Sequence, residues 1–152
     1  MSEYQKMICS QPYNCMTPEL AQLRREAARR YRRFNQAEEE AEQRALLAEL
    51  IGELAENAFI CPPLYCTYGR HIHLGEHSYI NMGATLLDNA PIRIGAHVMI
   101  GPNVQIYTAA HALEADERIQ GTETALPVTK DVPAGARVVG NPARILPAKN
   151  RS

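Results

Sequence analysis

The chain has 152 residues, enough for one domain with a sizeable core. Its sixteen basic and seventeen acidic side chains nearly cancel, so no global field points to nucleic acid or to an anionic membrane as a partner. No stretch approaches the roughly 18–20 apolar residues of a membrane span, and the opening MSEYQKMICS lacks the apolar run of a secretory leader. Cys9, Cys15, Cys61 and Cys66 form no CxxC pair; reduced structural thiols in a cytoplasmic protein are the expectation.

Residues 1–16 read as irregular. Thr17-Pro18-Glu19 is a helix start, a hydroxyl cap followed by proline at the first helical position. Leu20, Leu23, Ala27, Tyr31 and Phe34 then recur at three and four, one apolar stripe. The other face carries Arg24, Arg25, Arg29, Arg30, Arg32 and Arg33. A second helix is predicted from about Glu38 to Asn57, with the stripe Leu46, Leu47, Leu50, Ile51 and Leu54 and an acidic opposite face. Opposite charges on successive helices predict an antiparallel hairpin rather than a nucleic-acid patch.

Pro62-Pro63 ends the helical region, and a different period takes over. Leu74, Ile80 and Leu86 are six apart; after a two-residue slip, Ile94, Ile100 and Ile106 are again six apart. Four residues after each stands a small or β-branched side chain: Ser78, Ala84, Ala90, Val98, Val104 and Ala110. Six fits neither a helix nor an alternating strand. It fits a coil of short flat strands, each sending one aliphatic inward, which is a parallel β-helix. Such a coil has an open end, and the helical hairpin is well placed to cap it. After Tyr107 comes a long excursion, Thr108 to Leu126, containing His111 and Gly121; a loop of that length is usually functional. Val132 and Val138, six apart, return to the coil. The expected division is a helical cap segment over 1–60, a coil over 61–147 with the extended loop 108–127, and a tail over 148–152.

Several segments together resemble the maltose and galactoside O-acetyltransferases. They are Lys6-Met7-Ile8 with Tyr13, Arg33-Phe34-Asn35, Tyr79-Ile80-Asn81, Pro91-Ile92-Arg93-Ile94-Gly95, Ile100-Gly101-Pro102-Asn103-Val104, Tyr107-Thr108-Ala109-Ala110-His111, and Val139-Gly140-Asn141-Pro142-Ala143-Arg144. The resemblance implies a mainly β chain: a left-handed parallel β-helix behind an N-terminal α-helical hairpin, assembled as a homotrimer with active sites between subunits. It implies acetyl-CoA as donor and a sugar-like hydroxyl as acceptor. His111 matches the catalytic histidine, and Asn81 would orient that base or bind the acceptor. Asn14, Arg24, Tyr79, Asp88 and Asn89 fall at acceptor-pocket positions, and Thr129, Lys130 and Arg144 at positions able to meet CoA phosphates. The chain departs from the pattern by fusing two Val-Thr segments around Val128-Thr129, which removes about two coils.

Acetyl transfer to a hydroxyl needs a base for its proton and a donor for the oxyanion. Histidine suits the first role because it titrates near neutrality. The remaining histidines, His71, His73, His77 and His97, admit a zinc site as an alternative; no metal is the expectation. The missing coils motivate a rival of another class, a catalytically inactive trimer serving as a scaffold.

Overall fold

A computed structural model describes residues 1–126 and the backbone of two later strands, 137–139 and 144–146. In chain order the elements are α1 (Glu3–Ile8), β1 (Tyr13–Asn14), α2 (Pro18–Gln36), α3 (Glu40–Leu50), β2 (Glu53–Leu54), β3 (Phe59–Ile60), β4 (Leu64–Cys66), β5 (Ile72–Leu74), β6 (Tyr79–Ile80), β7 (Ala84–Leu87), β8 (Ile92–Ile94), β9 (Met99–Ile100), β10 (Gln105–Tyr107), β11 (Ala109–His111), α4 (Ala115–Ile119), β12 (Thr122–Ala125), β13 (Arg137–Val139) and β14 (Arg144–Leu146).

The hexads fold as the repeat demands. Strands β2, β5 and β8 stack in parallel on one face; β3, β6 and β9 on a second; β4, β7 and β10 on a third. Each paired residue stands twenty positions from its partner, as Glu53 does from His73 and His73 from Arg93. Twenty is three hexads plus the two-residue slip, so one turn of the coil is three faces with one longer corner. The inward residues Ile60, Leu64, Ile72, Leu74, Ile80, Leu86, Ile92 and Ile100 are all but fully buried and form one core. This is a left-handed parallel β-helix with an N-terminal helical hairpin.

The coil starts earlier than residue 61. The second helix stops at Leu50, not near Asn57. The Gly52 N–H already donates to the Ile72 carbonyl, and Glu53–Leu54 pair with His73–Leu74. Leu50, Ile51 and Leu54 fit a helical stripe, but Leu54, Ile60 and Cys66 also fit the hexad, and ladder pairing overrides local helix propensity. A Cβ on Gly52 would stand 2.2 Å from the Arg70 carbonyl oxygen, so only glycine lets the chain leave the helix this close to the coil.

The hairpin closes the open end with polar groups as well as apolar ones. Asn35 on α2 donates to the Leu64 carbonyl at 2.9 Å and accepts its N–H at 2.8 Å, imitating a further strand on the edge of β4. Arg44 on α3 donates to the carbonyls of Ala58 and Ala55. Compensation between the charged helix faces is thin: Arg33 meets Glu49 at 3.9 Å, and Arg30 reaches the Glu49 carbonyl. Thr17 stands at the cap position of α2, but its hydroxyl makes no capping bond.

At the far end β13 lies in parallel on β9, with Val138 over Ile100, and β14 turns back antiparallel on β13. The chain thus resumes stacking directly on the third coil. Val132 lies outside the described residues.

Candidate functional site

The longer corner of each coil is where polar residues gather. Asp88, fully buried, stands one turn below Tyr68 and accepts the N–H groups of Thr67 at 3.0 Å, Tyr68 at 2.8 Å and His71 at 3.2 Å. Burial pushes its carboxyl above the ordinary carboxylate range, with those N–H groups opposing. Thr108, one turn beyond Asp88, takes the same corner: its hydroxyl donates to the Leu87 carbonyl and accepts the Ala90 N–H, each at 2.7 Å. Thr108 therefore fixes the point at which the chain leaves the coil.

What leaves is not an irregular loop. Strand β11 pairs antiparallel with β12 around the short helix α4, and Gly121, with φ of +80°, turns the chain back. The N-terminal arm adds a third strand, because β1 pairs antiparallel with β12. The registers place His111 opposite Glu123, and Glu123 opposite Tyr13. Directly opposed residues share a sheet face, so three side chains far apart in sequence meet in one row.

Their contacts follow that row. His111 Nδ1 lies 3.3 Å from Glu123 Oε1. The Tyr13 hydroxyl donates to Glu123 Oε2 at 2.7 Å and accepts from Asn89 Nδ2 at 2.8 Å. His111 is 68% exposed while the Glu123 side chain is 13% exposed, so an open imidazole is backed by an enclosed carboxylate. Burial first, then Glu123, pushes the Tyr13 hydroxyl far up, keeping it a neutral donor. A carboxylate beside Nδ1 favours the proton on that nitrogen and leaves Nε2 to accept one, the arrangement a general base needs.

The other expected site residues divide into groups. Asn89 is buried against Tyr13 in this cluster. Arg24 stands beside it, donating to the Tyr68 hydroxyl at 3.3 Å and the Cys15 carbonyl at 2.9 Å. Asn14, exposed on β1, accepts the Met16 N–H with Oδ1 and donates its own N–H to Glu3. Asp88 is fully buried, its carboxylate engaged by backbone N–H groups inside the corner. Tyr79 and Asn81 are elsewhere. Tyr79 faces outward from β6, stacked on Phe59 with centroids 6.0 Å apart, and Asn81 follows at the corner leading into β7, its Oδ1 accepting the Met82 N–H. The third face separates that corner from the one where β11 departs. Thr129 and Lys130 lie outside the described residues, and Arg144 is described only as backbone, opposite Val139.

Sequence reading missed Glu123. The signal was there, in the β-branched Thr122 and Thr124 flanking Glu123 after a glycine, a hairpin signature inside the presumed loop. The histidines proposed for zinc are engaged otherwise. His71 Nδ1 meets the Asp88 carbonyl at 2.6 Å and its Nε2 the Tyr4 hydroxyl at 3.0 Å. His73 meets Glu53 at 3.3 Å, and the rings of His77 and His97 stack on each other at 5.0 Å. Among the described residues no three of His, Cys, Asp or Glu are grouped to hold a metal ion.

Residues 6–55 match the family model of the maltose acetyltransferase hexapeptide capping motif. Nodulation protein L of Rhizobium meliloti is 33% identical over 178 aligned positions, covering 95% of this chain and 97% of that protein. Since 95% of 152 residues cannot fill 178 positions, more than thirty of them face a gap here. A maltose O-acetyltransferase structure from Clostridium difficile matches with a TM-score of 0.83 and 29% identity, over 96% of each chain. A hexapeptide-repeat acetyltransferase of Vibrio cholerae, solved with acetyl coenzyme A, matches with a TM-score of 0.79 and 34% identity, over 97% of this chain and 98% of that one.

Proposed function

This chain belongs to the hexapeptide-repeat acetyltransferases of the maltose and galactoside type, and on that premise we propose that His111 is the general base for acetylation of a sugar or sugar-like hydroxyl. Acetyl-CoA is the acetyl donor. The observation that carries the assignment is the row His111–Glu123–Tyr13, an exposed imidazole with an enclosed carboxylate 3.3 Å from its Nδ1. In the reaction Nε2 takes the acceptor's hydroxyl proton as its oxygen attacks the thioester carbonyl. Glu123 holds the imidazole in that tautomer and stabilises the imidazolium that forms. The proton then passes to the departing CoA sulfur.

We assign Asn81, with Tyr79, to the same site, contributed by a neighbouring copy. Two features support a homotrimer that joins them. Asn81 and His111 belong to different corners of one prism. The outward rows are also sided: Glu53, His73 and Arg93 on the first face are polar or charged, whereas Tyr65, Met82, Met99 and Tyr107, on the second and third faces and the corner between, are apolar and 46–55% exposed. We assign Asn14 and Arg24 to the acceptor, with Asn89 behind them against Tyr13. Thr129, Lys130 and Arg144 are assigned to the CoA phosphates. Four free cysteines suit a reducing compartment, and we place the enzyme in the cytoplasm.

Acetyl transfer to a panel of glycosides, followed as thiol release, tests the base. His111→Ala should lower kcat about 10²–10⁴-fold; an unchanged rate would remove His111 from the mechanism. A second reading, an inactive scaffold, is favoured by β13 stacking directly on the third coil. Calorimetric titration with CoA separates the two: heat of binding supports the enzyme, and none at millimolar CoA from a folded protein supports the scaffold.

A further inference from the structure

The row that holds the base does not end at Glu123. Tyr13 lies 2.7 Å from Glu123 Oε2, and Asn89 Nδ2 lies 2.8 Å from the Tyr13 oxygen, with Tyr13 and Asn89 both nearly inaccessible to water. The directions of these bonds are forced. A carboxylate can only accept, so the Tyr13 proton goes to Glu123. The tyrosine oxygen can then only accept, so it must face the amide NH₂ of Asn89. Asn89 Oδ1 is left as a buried acceptor with no partner. Turning the amide over would set that oxygen against the Tyr13 oxygen, two acceptors face to face, and orphan the NH₂ instead. The structure keeps the orientation that serves Tyr13.

We infer that Tyr13 is a positioning residue for the base and that Asn89 sets the direction of its hydrogen bond. The inference rests on His111 being the base. Tyr13 belongs to the N-terminal arm, whereas Asn89 belongs to the corner of the coil that Asp88 organises. The chain of bonds Asn89–Tyr13–Glu123 thus ties the sheet bearing His111 to the rigid coil. Without it Glu123 could swing or share its charge with solvent, and His111 Nδ1 would lose a fixed partner. Asn89→Asp makes the logic testable with the tyrosine ring in place: a carboxylate at 89 also demands the Tyr13 proton and competes with Glu123 for it.

The experiment uses the full chain. Long-range ¹H–¹⁵N correlations of the His111 imidazole report its tautomer without turnover, and steady-state kinetics report kcat and KM. The expected result is a single Nδ1–H tautomer in the unaltered protein and a mixture in Tyr13→Phe and Asn89→Asp. Both variants should lose about tenfold in kcat, a part of the about 10²–10⁴-fold that a base supplies, with KM for acetyl-CoA unchanged. A tautomer that is unaltered in Tyr13→Phe overturns the inference whatever the rate does; should that variant unfold, Asn89→Asp decides by the same spectrum. Failure of the base assignment itself would appear separately, as full activity in His111→Ala.

Discussion

Glu123→Gln is the sharpest probe of the site, because it changes one atom and sets an amide where a carboxylate faces His111 Nδ1. The glutamine can still accept from Tyr13 with its carbonyl oxygen. Its NH₂ then faces His111 Nδ1, across the gap that is 3.3 Å in the native protein. A donor there requires Nδ1 to be an acceptor, which sends the imidazole proton to Nε2, the nitrogen that should be free. What is lost is one ion contact to an imidazole that is 68% exposed, worth about 0.2–1 kcal/mol. If that contact acts mainly on the transition state, where the imidazole is charged, it alone lowers kcat about 1.5- to 5-fold, with the shift of the imidazole proton to Nε2 adding to the loss. KM for either substrate should change little, since Glu123 supports the base rather than the ground-state complex. The assay is thiol release from acetyl-CoA with a saturating glycoside, with circular dichroism and a thermal midpoint to confirm folding. A folded Glu123→Gln protein with native kcat would refute the reasoning, as would a loss confined to KM.

Two further expectations concern the corner beneath the site. Asp88→Ala removes the acceptor for three backbone N–H groups and should cost about 3–5 kcal/mol of stability, read from urea denaturation; a cost near zero would mean that water replaces the carboxylate. His71 gives a pH dependence with a definite sign. Burial holds its pKa below the ordinary 6.5, so the unfolded chain binds the proton first. Its contribution is full above that ordinary value and is lost as pH falls through it toward the lower folded value. Asp88, raised by burial, acts oppositely: its extra stability is present below the ordinary carboxylate value and lost as pH rises through the folded one. On the His71 contribution stability should therefore fall as pH drops through the ordinary histidine value of about 6.5, and His71→Gln should flatten the fall; an equal slope in both proteins would assign it elsewhere.

The sequence carries the coil almost completely. Six-residue spacing admits few structures, and the two-residue slip after Leu86 becomes the corner that Asp88 and Thr108 occupy. It misleads where two periods overlap: Leu50, Ile51 and Leu54 satisfy a helical stripe, and only pairing of Leu54 with Leu74 settles the boundary. Asp88 shows the same limit for function. A carboxylate beside a substrate position and one inside a corner look alike as letters, and only its three N–H partners tell them apart.

Local spacing thus carried the fold, while the resemblance of whole segments carried the family and pointed to His111 as the candidate base. What only the tertiary structure decided is the row His111–Glu123–Tyr13–Asn89. Its members lie on a strand of the arm, a corner of the coil and both strands of a hairpin, brought together by antiparallel register and by the turn of the coil. Periodicity reports which face a residue takes within its own element. Which residue stands opposite on another strand depends on where the hairpin turns and where the arm docks, and those are set by packing over the whole molecule.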